Sequence, residues 1–156
     1  MKSLLVLFSY HHKNTEKIAK VFARVLDAPI RKPHRVDPAE LQEYDLVGFG
    51  SGIYDDKHHR TLLDLADRLP QASSKRAFLF STCGAPMETA EYADEAHRPL
   101  RDRLLSKGYV ILGEFNCPGF NTNSFLKLLG GINKGRPNAE DLKRAEEFAQ
   151  ELKQSF

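Results

Sequence analysis

The chain has 156 residues, enough for one domain with its own core and too few for two ordinary ones. Hydrophobic residues make up 41% and charged residues 28%, a globular rather than a disordered balance, and no apolar run is longer than a strand, which excludes a membrane-spanning helix. The net charge is +2 with the basic residues dispersed, which excludes the basic patch of a nucleic-acid binder. A single Lys precedes the first apolar run, which then turns polar at once, so that run reads as a strand and not as a secretory signal. Cys83 and Cys117 have neither metal-ligand spacing nor the look of a disulfide framework, which points to a reducing, cytoplasmic setting.

In chain order, Leu4–Phe8 is apolar at every position and reads as a strand buried on both faces. A polar loop, Ser9-Tyr10-His11-His12-Lys13, leads into a helix over Asn14–Leu26 with Ile18, Phe22, Val25 and Leu26 at core spacing. A buried strand ending just before a helix N-terminus makes an anion site, because first-turn N–H groups lack intrahelical partners and the helix dipole favours negative charge. Asn14 or Thr15 can cap this helix, and Thr15 can also bond a phosphate oxygen. Ala28–His34 is a weak, Pro-interrupted strand suited to a sheet edge. Asp37-Pro38 is an N-cap followed by proline at the first helical position, opening a short helix to about Glu43.

Asp45–Gly50 is the next buried strand and ends in the loop Gly50-Ser51-Gly52-Ile53-Tyr54. A helix over His59–Leu69, capped by Asp55 or Asp56, is stopped by Pro70. The strand Arg76–Phe80 ends in Ser81-Thr82-Cys83-Gly84-Ala85, and Thr89–Lys107 is a long helix with a kink or break expected at Pro99. A fifth strand starts at Tyr109–Leu112 and continues toward Cys117; the last helix, Asn138–Leu152, places Leu142, Ala145, Phe148, Ala149 and Leu152 on one face. Between them, Pro118 to Pro137 is long for a strand-to-helix connection, and its aromatic and aliphatic content argues against disorder.

Strands separated by helices imply a parallel, doubly wound α/β sheet with helices on both faces, which binds ligands at the carboxyl ends of its strands. Three polar loops at those ends describe a cofactor crevice. No Gly-x-Ser-x-Gly turn, Gly-x-Gly-x-x-Gly or Gly-x-x-x-x-Gly-Lys is present, so hydrolase, dinucleotide and P-loop readings lack support. A response regulator would need acidic residues where Phe8 and Ser9 stand.

The Ser9–Thr15 loop with its Asn-Thr-Glu-Lys helix start, Gly48-Phe49-Gly50-Ser51-Gly52-Ile53-Tyr54, and Phe80-Ser81-Thr82-Cys83-Gly84 resemble the flavodoxin-like family along nearly the whole chain. The resemblance implies a single three-layer domain over residues 1–156, a five-stranded parallel sheet in the order 2-1-3-4-5, and FMN as cofactor. Carried over by position, Ser9, Tyr10, His11, His12, Asn14 and Thr15 surround the phosphate. Gly52, Ile53 and Tyr54 lie on one side of the ring, Thr82, Cys83 and Gly84 offer backbone amides to its pyrimidine edge, and Ser51 and Ser81 at the loop roots belong to the same site.

The first loop departs from the family's usual Thr-Gly-Asn-Thr: Lys13 holds the glycine position and the loop is one residue longer. Lys13, His11 and His12 add positive charge beside a phosphate. Tyr54 either stacks on the isoalloxazine or packs on its own loop. His11, His12, His58 and His59 raise the question of a metal, but adjacent histidines do not share a helix face and no carboxylate pattern completes a ligand set, so none is expected. Cys83 reads as a small residue beside flavin rather than a redox thiol, and Cys117 as a buried apolar one.

The resemblance implies a redox protein that carries electrons through FMN to a partner protein, with no catalytic acid or base. The alternative is an FMN-dependent reductase or dehydrogenase acting on a quinone, NAD(P)H or another small molecule. Flavodoxins are strongly acidic whereas this chain is slightly basic, and the Pro118–Pro137 insertion, with Phe120 and Phe125 as apolar walls, can form a lid; both favour the alternative. Phe125-Leu126-Lys127-Leu128-Leu129-Gly130-Gly131 and the Gly50–His58 loop also look like segments of flavodoxin-type quinone-dependent protoporphyrinogen oxidases, with a shorter insertion here. A membrane- or partner-contacting turn at Phe125–Leu129 is a third reading.

Overall fold

A computed structural model describes residues 1–10, 13–84, 90–119, 131 and 134–156. The long apolar runs form parallel strands β1 (Ser3–Phe8), β3 (Leu46–Tyr54), β5 (Lys75–Cys83) and β6 (Tyr109–Pro118), with a two-residue edge strand β2 (Ile30–Arg31). A further short strand, β4 (Lys57–His58), folds back antiparallel on β3. The sheet order is β2-β1-β3-β5-β6, so the parallel strands alone run 2-1-3-4-5, the doubly wound arrangement expected. The edge strand is cut short because prolines flank it: Pro29 and Pro33 have no N–H to give a ladder, and Pro29 contributes only its carbonyl, to Leu5 N–H at 2.9 Å.

Helices α1 (Asn14–Leu26), α2 (Arg60–Arg68), α3 (Ala90–Ser106) and α4 (Ala139–Gln154) cover the sheet. No helix among the described residues is long and apolar enough to cross a membrane. Asp37 caps the short 3₁₀ segment Pro38–Glu43, accepting the Ala39 N–H at 3.0 Å. Asn138 caps α4 in a reciprocal box with Asp141, and Asp141 also takes two bonds from the Arg136 guanidinium, at 2.6 and 2.7 Å.

Several expectations change. Ser51–Tyr54 and Ser81–Cys83, expected in the loops, continue β3 and β5 as paired strand. Asp55 and Asp56 do not cap α2; both lie at positive φ, 49° and 60°, as the turn of the β3–β4 hairpin, because a two-residue hairpin loop needs that conformation and Asp tolerates it. His59 is the cap instead, accepting the Thr61 N–H on Nδ1 at 3.2 Å. Pro99 does not break α3, which runs through it. The single lost backbone bond is outweighed by the burial of Ala96, Leu100 and Leu104 against the sheet.

The core has two layers. On one face Leu4, Val6, Phe49 and Leu79 meet Leu62 and Leu65 of α2 and Leu100 and Leu104 of α3. On the other, Leu5, Phe78, Phe80 and Phe115 meet Ile18 and Phe22 of α1 and Ala145 and Ala149 of α4. Phe22 packs edge-on against Phe78, Phe80 and Phe115 at centroid distances of 5.5, 5.0 and 5.6 Å. Room for these rings comes from β3, where a Cβ on Gly48 would stand 2.4 Å from Phe78 and one on Gly50 would stand 2.1 Å from Phe80. Gly50→Ala is therefore expected to destabilise the fold by about 1–3 kcal/mol, read as a lower urea midpoint. An unchanged midpoint would show that Phe80 yields without cost.

Candidate functional site

The strand register aligns the carboxyl ends of the sheet. Phe8 pairs with Ser51, Ser51 with Ser81, and Ser81 with Asn116, so the three loops that follow leave from one edge. The first helix reaches the end of β5 directly: the Thr15 and Thr82 hydroxyls, both buried, lie 2.8 Å apart. Lys13 adopts the left-handed conformation (φ 52°, ψ 35°), keeping with a lysine the geometry for which glycine is favoured. That places the N-cap at Lys13, so Asn14 and Thr15 are the first helical residues and neither caps the helix. Ser9 does part of that work, its Oγ accepting the Glu16 N–H at 3.2 Å. Tyr10 is 71% exposed, and His11 and His12 lie outside the described residues.

The exit of β6 closes on these loops. Gly119 donates to the Cys83 carbonyl at 2.9 Å, and a Cβ there would stand 2.7 Å from the Asn14 side chain. Most of the long segment beyond it, with Phe120 and Phe125, lies outside the described residues, as does Ala85. Cys83 and Cys117 are both buried and are not joined in a disulfide. Cys117 pairs with Thr82 in register and Cys83 with Pro118, so the two thiols point to opposite faces of the sheet.

The second loop is the β3–β4 hairpin. Ser51 Oγ donates to the Gly52 carbonyl at 2.6 Å and accepts from the His59 N–H at 3.0 Å and from His58 Nδ1 at 3.0 Å. His59 stacks on Phe8 with centroids 3.6 Å apart, and Tyr54 stands edge-on to both, at 6.0 Å from Phe8 and 5.1 Å from His59. Tyr54 is thus a half-buried wall, its phenol pushed up in pKa by burial and protonated at neutral pH.

Behind these loops lies a polar row that the sequence reading passed over. Ser81 Oγ donates to Asn116 Oδ1 at 2.8 Å and so accepts from His97 Nε2 at 2.7 Å. His97 Nδ1 donates to Glu114 at 2.8 Å, and Arg101 donates to both oxygens of the same carboxylate, at 2.9 and 3.1 Å. Burial alone would raise the Glu114 pKa, but the bonds from His97 and Arg101 outweigh it and hold the carboxyl below its ordinary value. His97 faces His58 with ring centroids 4.8 Å apart. Burial, aided by the charge of His97, pushes His58 well below 6.5, so its ring is neutral, with the proton on Nδ1 toward Ser51. His58 Nε2 has no hydrogen-bond partner among the described residues. The signal was present but quiet: His97 takes a core position on a helix whose stripe continues through Leu100 and Leu104. Among the described residues no three His, Cys, Asp or Glu side chains gather as metal ligands. A cleft of about 540 Å³ opens between α3 and the end of β6, lined by His97, Asn116, Pro118, Arg136 and Arg144 among others.

His58 makes stability depend on pH. Its folded pKa lies below the unfolded value of 6.5, so the unfolded chain takes up a proton that the folded one refuses. The contribution is whole above the unfolded pKa and is lost as pH falls beneath it, with a slope approaching about 1.4 kcal/mol per pH unit. Urea midpoints measured from pH 8 to 5 should show this loss in the native chain and a shallower one in His58→Asn, which keeps an N–H for Ser51. Equal slopes would contradict the assignment.

The arrangement agrees with comparisons to known proteins. The family model described as a flavodoxin domain matches residues 5–122. An uncharacterised protein of Methanocaldococcus jannaschii is 47% identical over 152 residues, covering 97% of this chain and 98% of that one. Among solved structures, oxidised flavodoxin 2 from Bacillus cereus superposes with a TM-score of 0.76 at 19% identity over all of both chains. A Fusobacterium nucleatum flavodoxin bound to flavin mononucleotide superposes at 0.68 with 15% identity, covering 100% of this chain and 99% of that one. With its doubly wound sheet, its three aligned loops and this match to the family model, the chain belongs to the flavodoxin family.

Proposed function

We propose that the chain binds FMN across the three loops and carries electrons through it to a redox partner protein. The observation that carries this reading is the direct junction of the first helix turn with the end of β5, Thr15 to Thr82 at 2.8 Å, which makes one continuous crevice of a phosphate cradle and a ring slot. The donor set fits a dianion: Ser9, Asn14 and Thr15 stand at a helix N-terminus beside Lys13. Glu16, the acid of that first turn, is engaged with Lys20 at 3.1 Å and is therefore partly neutralised.

When bound, FMN supplies the electron chemistry, and the protein supplies binding, orientation and electrostatics. Ser9, Asn14, Thr15 and Lys13, with His11 and His12, hold the phosphate. Gly52, Ile53 and Tyr54 wall one side of the ring, Tyr54 kept in place by Phe8 and His59. Thr82, Cys83 and Gly84 give amides to its polar edge, from strand ends rooted at Ser51 and Ser81. Buried walls on the slot exclude water from the ring and lower the dielectric around it, which disfavours added negative charge there.

A second reading, an FMN-dependent reductase acting on a quinone, NAD(P)H or another small molecule, draws support from the cleft between α3 and the end of β6, which gives a small molecule room among Asp94, Glu114, Arg136 and Arg144. Steady-state assays with NAD(P)H and with a soluble quinone separate the two. The carrier reading expects no turnover without a partner protein, and sustained turnover would favour the reductase. Replacing Asn14 and Thr15 together by Ala is expected to weaken FMN binding by about 2 kcal/mol or more, roughly thirty-fold in dissociation constant. An unchanged constant in equilibrium titration would remove the first loop from the site.

A further inference from the structure

We propose that His97 is a positioning residue that holds the β3–β4 hairpin against the end of β5, and thereby sets the affinity and reduction potential of the bound flavin. This rests on the FMN reading above. Helix α3 touches both elements. It meets the end of β5 through His97 Nε2 and Ser81, and the hairpin through the His58 ring, tilted by 36° with its centroid 4.8 Å away, whose Nδ1 holds Ser51. Tyr92, five residues earlier on α3, adds a bond to Asp56 in the hairpin turn at 2.9 Å. Ser51 and Ser81 are partners in register, and each immediately precedes a residue assigned to the ring, Gly52 and Thr82. The chain Ser51–His58–His97–Ser81 therefore bridges the two ring walls from behind.

On the His97 side the bridge is stiff because every hydrogen is committed, while His58 and His97 meet ring to ring. Both His97 nitrogens donate, one to Ser81 and one to Glu114. Ser81 in turn donates to Asn116, and Glu114 is shared with Arg101, which also holds Asp94 at 2.9 Å. The ring is 1% exposed, so rotating it would strand buried donors that no water reaches. The neighbouring core positions on α3, Ala96, Leu100 and Leu104, are apolar, and an apolar side chain at 97 would bury more cheaply than an ionic triad. The β3–β5 ladder already aligns Ser51 with Ser81; what the polar set adds is a fixed seat for the hairpin, through His58, over the end of β5. Hydrogen bonds offered by these elements to the ring differ in strength with the charge on it, so their placement enters the potential as well as the affinity.

Two conservative variants separate position from mere packing. His97→Gln reaches the Nε2 position and keeps a donor for Ser81 while giving up Glu114. His97→Asn keeps a donor at the Nδ1 position and loses Ser81. The purified chain is titrated with FMN and in parallel with riboflavin, and the midpoint potential of the saturated flavoprotein is measured. The proposal expects His97→Asn to weaken both ligands at least ten-fold and to move the potential by about 30 mV, the equivalent of a ten-fold change in the ratio of oxidised to reduced affinity for a two-electron couple. His97→Gln should stay within about three-fold of the native affinity. Loss of FMN affinity with riboflavin unaffected, or native affinity and potential in His97→Asn, would overturn it. If His97→Asn does not fold, Ser81→Ala, which removes the acceptor and one atom, carries the same expectation. Failure of the native chain to bind either flavin would instead overturn the FMN reading on which the proposal stands.

Discussion

Four residues standing side by side across the sheet, Phe8, Ser51, Ser81 and Asn116, set the alignment of its carboxyl edge. In parallel strands partners in register face the same way, so this row lies wholly on the α2–α3 side. It is covered there by His59 on Phe8, His58 on Ser51 and His97 on Ser81. A slip of one residue in any strand would turn its member of the row to the other face and break the hydrogen bond beneath it. The strands stay in register one residue beyond, Gly52 beside Thr82 and Thr82 beside Cys117, so the strand ends inherit the alignment.

The register itself is held from the opposite face. Gly48 and Gly50 leave hollows that the Phe78 and Phe80 rings occupy, and Phe22 packs on both. Because glycine provides the space, the aromatic pair fits β3 in one alignment only. Phe22 also sits in the middle of α1, so the contact that fixes the strands fixes the helix whose first turn meets Thr82. Core packing and site geometry are consequences of the same small-to-large match.

Much of this was readable in the chain. The bounds of α1, the Asp37 cap and the start of α4 follow from apolar period and capping residues, and the structure returns them nearly unchanged, whereas β3 and β5 run on through Tyr54 and Cys83 into residues that read as loop. Local propensity misled where tertiary geometry chose between options that look alike. Asp55-Asp56 ahead of a helix resembles a cap, yet the same residues suit a tight hairpin turn, and β4 pairing decided for the turn. A lysine at a position that favours glycine gave no sign that its backbone would still adopt positive φ. The His58–His97 bridge escaped because its members lie 39 positions apart and neither has a motif. A polar residue in an apolar helix stripe was the available clue, and only packing shows what it meets.

The central claim is that the three aligned loops form one flavin site, and the most direct measurement is a titration of the purified chain with FMN, followed by visible absorption and flavin fluorescence. The account predicts shifted absorption bands and a change in fluorescence that saturates at one flavin per chain. A free-FMN spectrum and unchanged fluorescence at micromolar protein would contradict it.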